Sequence, residues 1–477
     1  LKIEEYIIEL SEDISILFKT SMKKYLCFIG LLACCIVVVG LSSCALSKKV
    51  APQEVKEDVA FVKKQIGLLH PNPYFLADSA AFIKRLDCIA PHTKIARLNL
   101  CGQLQNAVAM LNDGHTAVNL DNNTRFRAFF WRSKILPLKL EVKDGRLLVL
   151  SNVGKHSHIA SGSEILEING VDADSIYRKL LERTSGNSIK HKEHIINSGS
   201  LSLDLLIKTG YSGNYNVKYK TPNGECREVF LKGISQPKYF GSKSTYLNKD
   251  IFDSCSMVER SDFGSIFYSK KDSAAIFKYP KFDSLNDTSL INRVYQLIKS
   301  DSVKYFVLDL RDNTGGTTNL YPYLLKLFPP KNKVCYFDRV EVNLASVASA
   351  EMKMEKVETI RGNKIGICRD SLLLSTSNIC GISRKAFVLC NAGTFSTASA
   401  FCAIVQDNKL GVLVGEDTGG RGSDFGNFQA FLLPNSKLIL QVSTSRFIRP
   451  NGNATFYPIK PDIYCNFKEA FSVKAYN

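Results

Sequence analysis

Hydrophobic and polar positions change period along the chain, and each change predicts a change of structure. From about Gln53 to Asn119 apolar residues recur at three- and four-residue spacing, as in "VKEDVAFVKKQIGLLH" and "LNLCGQLQNAVAMLND". That spacing predicts amphipathic helices, joined through the proline-broken "HPNPYF". After Asn119 the period falls toward two in "ILPLKLEVKDGRLLVLSNV", with Asp144-Gly145 as a hairpin turn. "SGSEILEINGVDADSIYRKLLERTSG" then reads as strand, turn and amphipathic helix, and "YNVKYKTPNGECREVFLKG" closes this strand-rich module with a hairpin at Asn223-Gly224. Beyond Gly233 strand and helix patterns alternate, through "SAAIFKYPKF", "SLINRVYQLIKS", "KYFVLDLR", "KAFVLC", "TASAFCAIVQ" and "LGVLVGE". Alternation of that kind predicts an α/β layer of parallel strands, whose carboxyl ends carry sites. A last hairpin, "FLLPNSKLILQVS", follows.

Composition adds bounds. A chain of 477 residues, 45% hydrophobic and 22% charged, is expected to form two or three packed units rather than one core. The formal charge is +17, but Lys and Arg are spread without a basic block or an interleaved aromatic ladder, so no nucleic-acid partner is expected. Residues 22–44, "MKKYLCFIGLLACCIVVVGLSSC", change the picture more. A positive start at Lys23 and Lys24, an apolar run from Leu26 to Val39 and small residues before a cysteine read as a secretory signal. "LSSC" resembles a bacterial lipoprotein cleavage box. The rival reading is a transmembrane anchor, for which the run is short against the roughly 20 residues a span requires. The expectation is therefore a signal over 22–43, a lipidated Cys44 holding the protein to a membrane of the bacterial cell envelope, and residues 1–21 as an upstream start artefact. Among the 14 cysteines no CxxC pair occurs, and the histidines show no metal-ligand spacing, so no metal or cofactor is expected. "HKEH" at His191 to His194 lacks a third ligand and reads as a solvated helix.

Candidate chemistry gathers at three strand ends. "VLDLRDNTGG" ends in Gly315-Gly316, "NAGTFSTASAF" places Ser396 at a strand-to-helix turn, and "LVGEDTGGRG" ends in Gly419-Gly420. Taken alone, the hydroxyls of Thr394, Ser396, Thr397 and Ser399 read as an ordinary helix cap. Together with "MLNDGHTAVNL" and "SEILEING", however, the motif set resembles the serine peptidase family of the tail-specific (C-terminal processing) proteases and the tricorn core protease, over roughly residues 53–465. The resemblance implies a helical N-terminal domain over 44–130, a PDZ-like β-rich domain over 131–235 and a ClpP/crotonase-like α/β core over 236–477. It implies acyl-enzyme chemistry on peptides or unfolded protein tails. A PDZ-like module would hold such a chain by adding it to a sheet edge.

Carried over by motif position, the nucleophile is Ser396 and the oxyanion donors are the backbone amides of Gly315 or Gly316 and of Thr397. The lysine base of many bacterial members would fall at Arg421, which stays protonated and cannot serve. The tricorn-like branch uses a histidine, matched here by His115, and an imidazole titrates near neutral pH. Asp309, Arg311 and Asp312 are expected to brace their loop by ion pairing. The acid that would orient His115 is missing from its usual places, with Thr455 nearest, leaving Thr116 or a backbone carbonyl as candidates. That departure keeps an alternative in view, a non-catalytic peptide-binding lipoprotein on the same fold.

Overall fold

The computed structural model describes residues 49–120, 134–153, 159–199, 201, 205, 213–240, 252, 254–283, 288–346, 353–369, 375–379 and 381–466. The signal segment 22–43 and Cys44 lie outside the described residues. No helix among them is long and apolar enough to cross a membrane.

The helical pattern at the start folds as α1 (Pro52–Leu69), α2 (Ser79–Asp87) and α3 (Arg97–Val108). Pro52 opens α1 at a position where its missing N–H costs nothing, and Glu54 accepts the Ala51 N–H at 2.7 Å. Asp78 caps α2 through the N–H groups of Ala80 and Ala81. These helices share their core with a hairpin from the far end of the chain: Leu433, Leu438, Leu440 and Val442 pack among Val55, Ile66, Leu100 and Leu104. Strand Ala117–Asn119, which follows α3 after a short 3-10 turn at Ala109–Leu111, pairs antiparallel with Gln441, Leu440 and Ile439. The turn that precedes it, Asp113 to Thr116, is thereby anchored against the carboxyl-terminal half of the molecule.

The period-two stretch forms an antiparallel sheet. Its strands are β1 (Leu138–Lys143), β2 (Arg146–Asn152), β3 (Glu164–Ile168), β4 (Asn214–Lys220) and β5 (Cys226–Lys232), in spatial order β5-β4-β3-β2-β1. Asp144 and Gly145 both take positive φ, as the two-residue turn between β1 and β2 requires. Helices α4 (Ala173–Glu182) and α5 (Ile189–Ser198) accompany this sheet.

The alternating region builds a seven-stranded sheet of β6 (Ser256–Ser261), β7 (Gly264–Ser269), β8 (Ala274–Lys278), β9 (Tyr305–Asp309), β10 (Lys385–Cys390), β11 (Val412–Gly415) and β12 (Ile463–Tyr464), in that order. The pairs from β8 through β12 are parallel. Helices α6 (Thr288–Lys299) and α7 (Thr397–Asp407) bury Val294, Ile298, Phe401 and Ile404 in its main core. The chain is thus a mixed α/β protein of several sheets, as expected. The carboxyl ends of the adjacent strands β9, β10 and β11 deliver the three motif loops side by side.

Candidate active site

Strand β10 ends at Cys390 and α7 begins at Thr397, so the chain must reverse within six residues. Ser396 accomplishes the last step with φ 55° and ψ −127°, a conformation that costs a non-glycine residue about 1–3 kcal/mol. It occupies the N-cap position of α7, yet its side chain makes no capping hydrogen bond. Its Oγ lies 2.9 Å from His115 Nε2 instead, across 281 residues of sequence. The neighbouring hydroxyls are all spent on the backbone. Thr394 Oγ1 donates to the Leu310 carbonyl, Thr397 Oγ1 to that of Gly316 and Ser399 Oγ to that of Ser396, at 2.8, 2.6 and 2.8 Å. None of the four hydroxyls therefore caps α7: the three neighbours donate to carbonyls, and Ser396 alone faces a histidine.

The loop after β9 lies against this turn. Gly315 adopts φ +90°, and a side chain there would meet the Thr397 nitrogen and the Ser396 Cβ at 2.8 Å. Glycine is required both by the backbone and by the space in front of the Thr397 amide. The expected donor role of Gly315 needs correcting: its N–H is already donated to Asn313 Oδ1 at 2.9 Å. The N–H groups of Gly316 and Thr397 donate to no acceptor among the described residues. Arg311 grips buried Asp309 through two bonds of 2.8 and 2.7 Å, the loop brace expected from the sequence, and Asp312 accepts from Asn391 Nδ2 at 2.8 Å.

The group facing His115 is Asp113, which sequence reasoning passed over. Its Oδ1 accepts the His115 backbone N–H at 2.9 Å and lies 3.8 Å from His115 Nδ1. The latter distance is too long for a hydrogen bond but close enough to stabilise a positive imidazolium in a buried setting. Nδ1 has no hydrogen-bond partner among the described residues. Asp113 Oδ2 is 3.2 Å from His70 Nε2 and accepts from Thr116 and Ser443 at 2.5 and 2.6 Å. The Asn72 N–H donates to His70 Nδ1, so His70 carries its proton on Nε2, toward the carboxylate. Burial pushes the Asp113 carboxyl up, but the hydrogen bond and electrostatic attraction of His70, the attraction of His115 and the Ser443 hydroxyl outweigh it. The net effect holds the group well below the usual carboxylate range. Thr116, one candidate orienter, therefore serves Asp113 rather than His115, and exposed Thr455 turns to Asn453 in its own loop.

Arg421 is buried and holds carbonyls rather than a substrate: Nη2 donates to Asn112 and Asn187 at 2.8 and 2.7 Å, while Nη1 faces Asp424 at 3.4 Å. The "HKEH" helix is not solvated, contrary to its sequence reading. His191 is 3% exposed and its ring stands 4.5 Å from that of Phe395, which meets the His115 ring on another side at 4.6 Å. The cause is docking at both ends of a short helix, which a pattern of alternating charges does not reveal. Among the described residues no cluster of metal-ligating side chains exists.

Residues 273–465, which include the Ser396 turn and all three strand-end loops, match the profile of peptidase family S41. The chain carries a peptidase family S41 domain. The family resemblance read from the motifs is thus borne out over this domain. A curated relative, the chloroplastic carboxyl-terminal-processing peptidase 2 of Arabidopsis thaliana, is 27% identical over 137 residues, which is 29% of this chain and 22% of that protein. The match spans about a fifth of that relative's length. Crystal structures of mature CPAF, alone and complexed with lactacystin, superpose with TM-scores of 0.57 and 0.58 at 16% identity. They cover 86% of this chain and 93% and 94% of theirs, so the likeness in fold extends well beyond the matched domain.

Proposed function

We propose that this protein is a serine endopeptidase of the tricorn-like, histidine-dependent kind, acting on peptides or unfolded protein tails. The observation that carries the reading is the 2.9 Å contact between His115 Nε2 and the Oγ of a serine held at positive φ. Such a distance permits proton transfer without rearrangement. Ser396 Oγ attacks the scissile carbonyl carbon while His115 Nε2 takes the hydroxyl proton, and the Gly316 and Thr397 amides receive the developing oxyanion. The imidazolium, with its Nδ1 toward Asp113, then returns the proton to the leaving amine. Water repeats the sequence on the acyl ester and frees Ser396. Arg421 takes no part as a base, and the serine–histidine contact argues against the non-catalytic alternative. The substrate class follows the processing peptidases to which the chain is similar. The test is cleavage of a fluorescently labelled unfolded protein: the wild type should cut it and Ser396→Ala should not. A folded wild type without activity would revive the binding alternative.

On the same reading the 138–232 sheet is PDZ-like and the parallel-stranded unit is ClpP/crotonase-like, supported by two helices beside a six-stranded antiparallel sheet and by the β8–β12 order. The "LSSC" sequence further supports lipidation at Cys44 and attachment to the cell envelope. Cys44→Ala should move the protein from the membrane to the soluble fraction. Unchanged retention with residues 22–43 still attached would mean a transmembrane anchor.

A further inference from the structure

An edge strand of an antiparallel sheet ordinarily presents N–H and C=O groups that an extended peptide can pair with. At β1, one of the two edge strands of the small sheet, the position is taken from within. Asn197, near the end of α5, donates Nδ2 to the Val142 carbonyl at 2.8 Å and accepts the Val142 N–H on Oδ1 at 2.7 Å. One side chain thus supplies both bonds that a partner strand would make there. Further along β1, the Tyr239 hydroxyl donates to the Leu138 carbonyl at 3.3 Å. Helix α5 is firmly seated, with Ile196 buried in the core of this sheet and Glu193 accepting from the Tyr177 hydroxyl of α4 at 2.7 Å.

The other end of the same helix enters the catalytic region. Asn187, just before its N-cap, accepts the Gly114 N–H on Oδ1 at 2.8 Å and donates Nδ2 to Asp424, while its carbonyl receives Arg421 at 2.7 Å. Its own N–H donates to His191 Nδ1 at 3.2 Å, which presents the His191 ring to Phe395 and so to His115. Every polar group of Asn187 is therefore used: Oδ1 bonds the turn that carries His115, and the carbonyl holds Arg421, which also donates to the Asn112 carbonyl just before that turn. Ten residues separate Asn187 from Asn197, about 15 Å at the rise of a helix.

We propose that α5 is the built-in ligand of the β1 edge and, through it, the strut of the catalytic site. Asn197 closes the edge to extended peptides, and Asn187 and His191 are positioning residues that hold the 113–116 turn against Ser396. The proposal rests on the peptidase reading above and removes the β1 edge from the sequence-based expectation that this module captures substrate tails by strand addition.

The test uses the full chain, with hydrogen exchange read over 113–118 and 138–143 beside steady-state kinetics. Asn197→Ala should lower kcat about tenfold with KM within about twofold, and should hasten exchange over 113–118 about tenfold. Asn187→Ala should do the same without changing exchange over 138–143. If Asn197→Ala does not fold, Asn197→Asp, which keeps the acceptor and removes the donor, takes its place. In the Ser396→Ala protein, excess peptide should add no protection over 138–143. Added protection there would overturn the closed edge. An active wild type whose kcat and exchange ignore Asn197→Ala would overturn the strut and keep the peptidase. An inactive wild type whose exchange at 113–118 still responds would keep the strut and overturn the peptidase.

Discussion

His115 and His191 face the same phenylalanine from two regions of the molecule, with ring centroids 4.6 and 4.5 Å from that of Phe395. Their chemistry is nonetheless opposed. His115 has Nε2 on a serine hydroxyl and a carboxylate beyond Nδ1, so a proton gained on one side meets negative charge on the other. His191 has its Nδ1 satisfied by a backbone amide, and burial, joined by the charges of His194, His115, Arg421 and Lys192, lowers it to about 3. One ring can cycle a proton, while the other is kept neutral to pack. The difference lies in depth and in what faces each ring rather than in residue type: His191 is buried among cationic groups, while half-buried His115 has a carboxylate beside it.

The largest effects should fall on the first of these rings. His115→Ala should lower kcat/KM by about 10⁴-fold or more, since a general base and its nucleophile act as a unit. Asp113→Asn should cost about 10² to 10³-fold, less because the carboxylate acts at 3.8 Å and not through a hydrogen bond. Steady-state kinetics on one fluorogenic peptide ranks the two. An Asp113→Asn loss as large as that of His115→Ala would mean that Asp113 sets the fold of the turn rather than the charge beside it.

The second ring should speak through stability. Its folded pKa, about 3, lies below the unfolded value of roughly 6.5. Between those values the unfolded chain binds a proton that the folded chain refuses, so unfolding free energy rises with pH and falls on acidification. His191 contributes up to about 1.4 kcal/mol per pH unit to that slope. Urea titrations at pH 7, 6 and 5 should show the slope reduced by one proton in His191→Gln, which keeps an acceptor for Asn187. An unchanged slope would remove the buried neutral histidine from the account.

Much of this was legible in the sequence wherever the signal is local. Period-two stretches with Asp144-Gly145 and Asn223-Gly224 became hairpins, and the alternating region became a parallel sheet whose strand ends hold the motifs. Arg421 could be struck out as a base from its chemistry alone. What escaped was set by contacts between distant segments. Asp113 reads as the polar end of a helix until His70 and Ser443 close around it, 43 and 330 residues away. Gly315 looks like a donor until the Asn313 side chain, two residues back, takes its amide. "HKEH" resembles a solvated face because nothing local announces that Phe395 covers His191.

The central claim is that Ser396, activated by His115, is the nucleophile. Its most direct test is labelling of the folded protein with a fluorophosphonate probe, followed by mass spectrometry of the tryptic peptides. A single adduct on Ser396 is expected, absent from Ser396→Ala and lost from His115→Ala, with Thr394, Thr397 and Ser399 unmodified. A folded wild type that takes no probe, or takes it on one of those neighbours, would contradict the account.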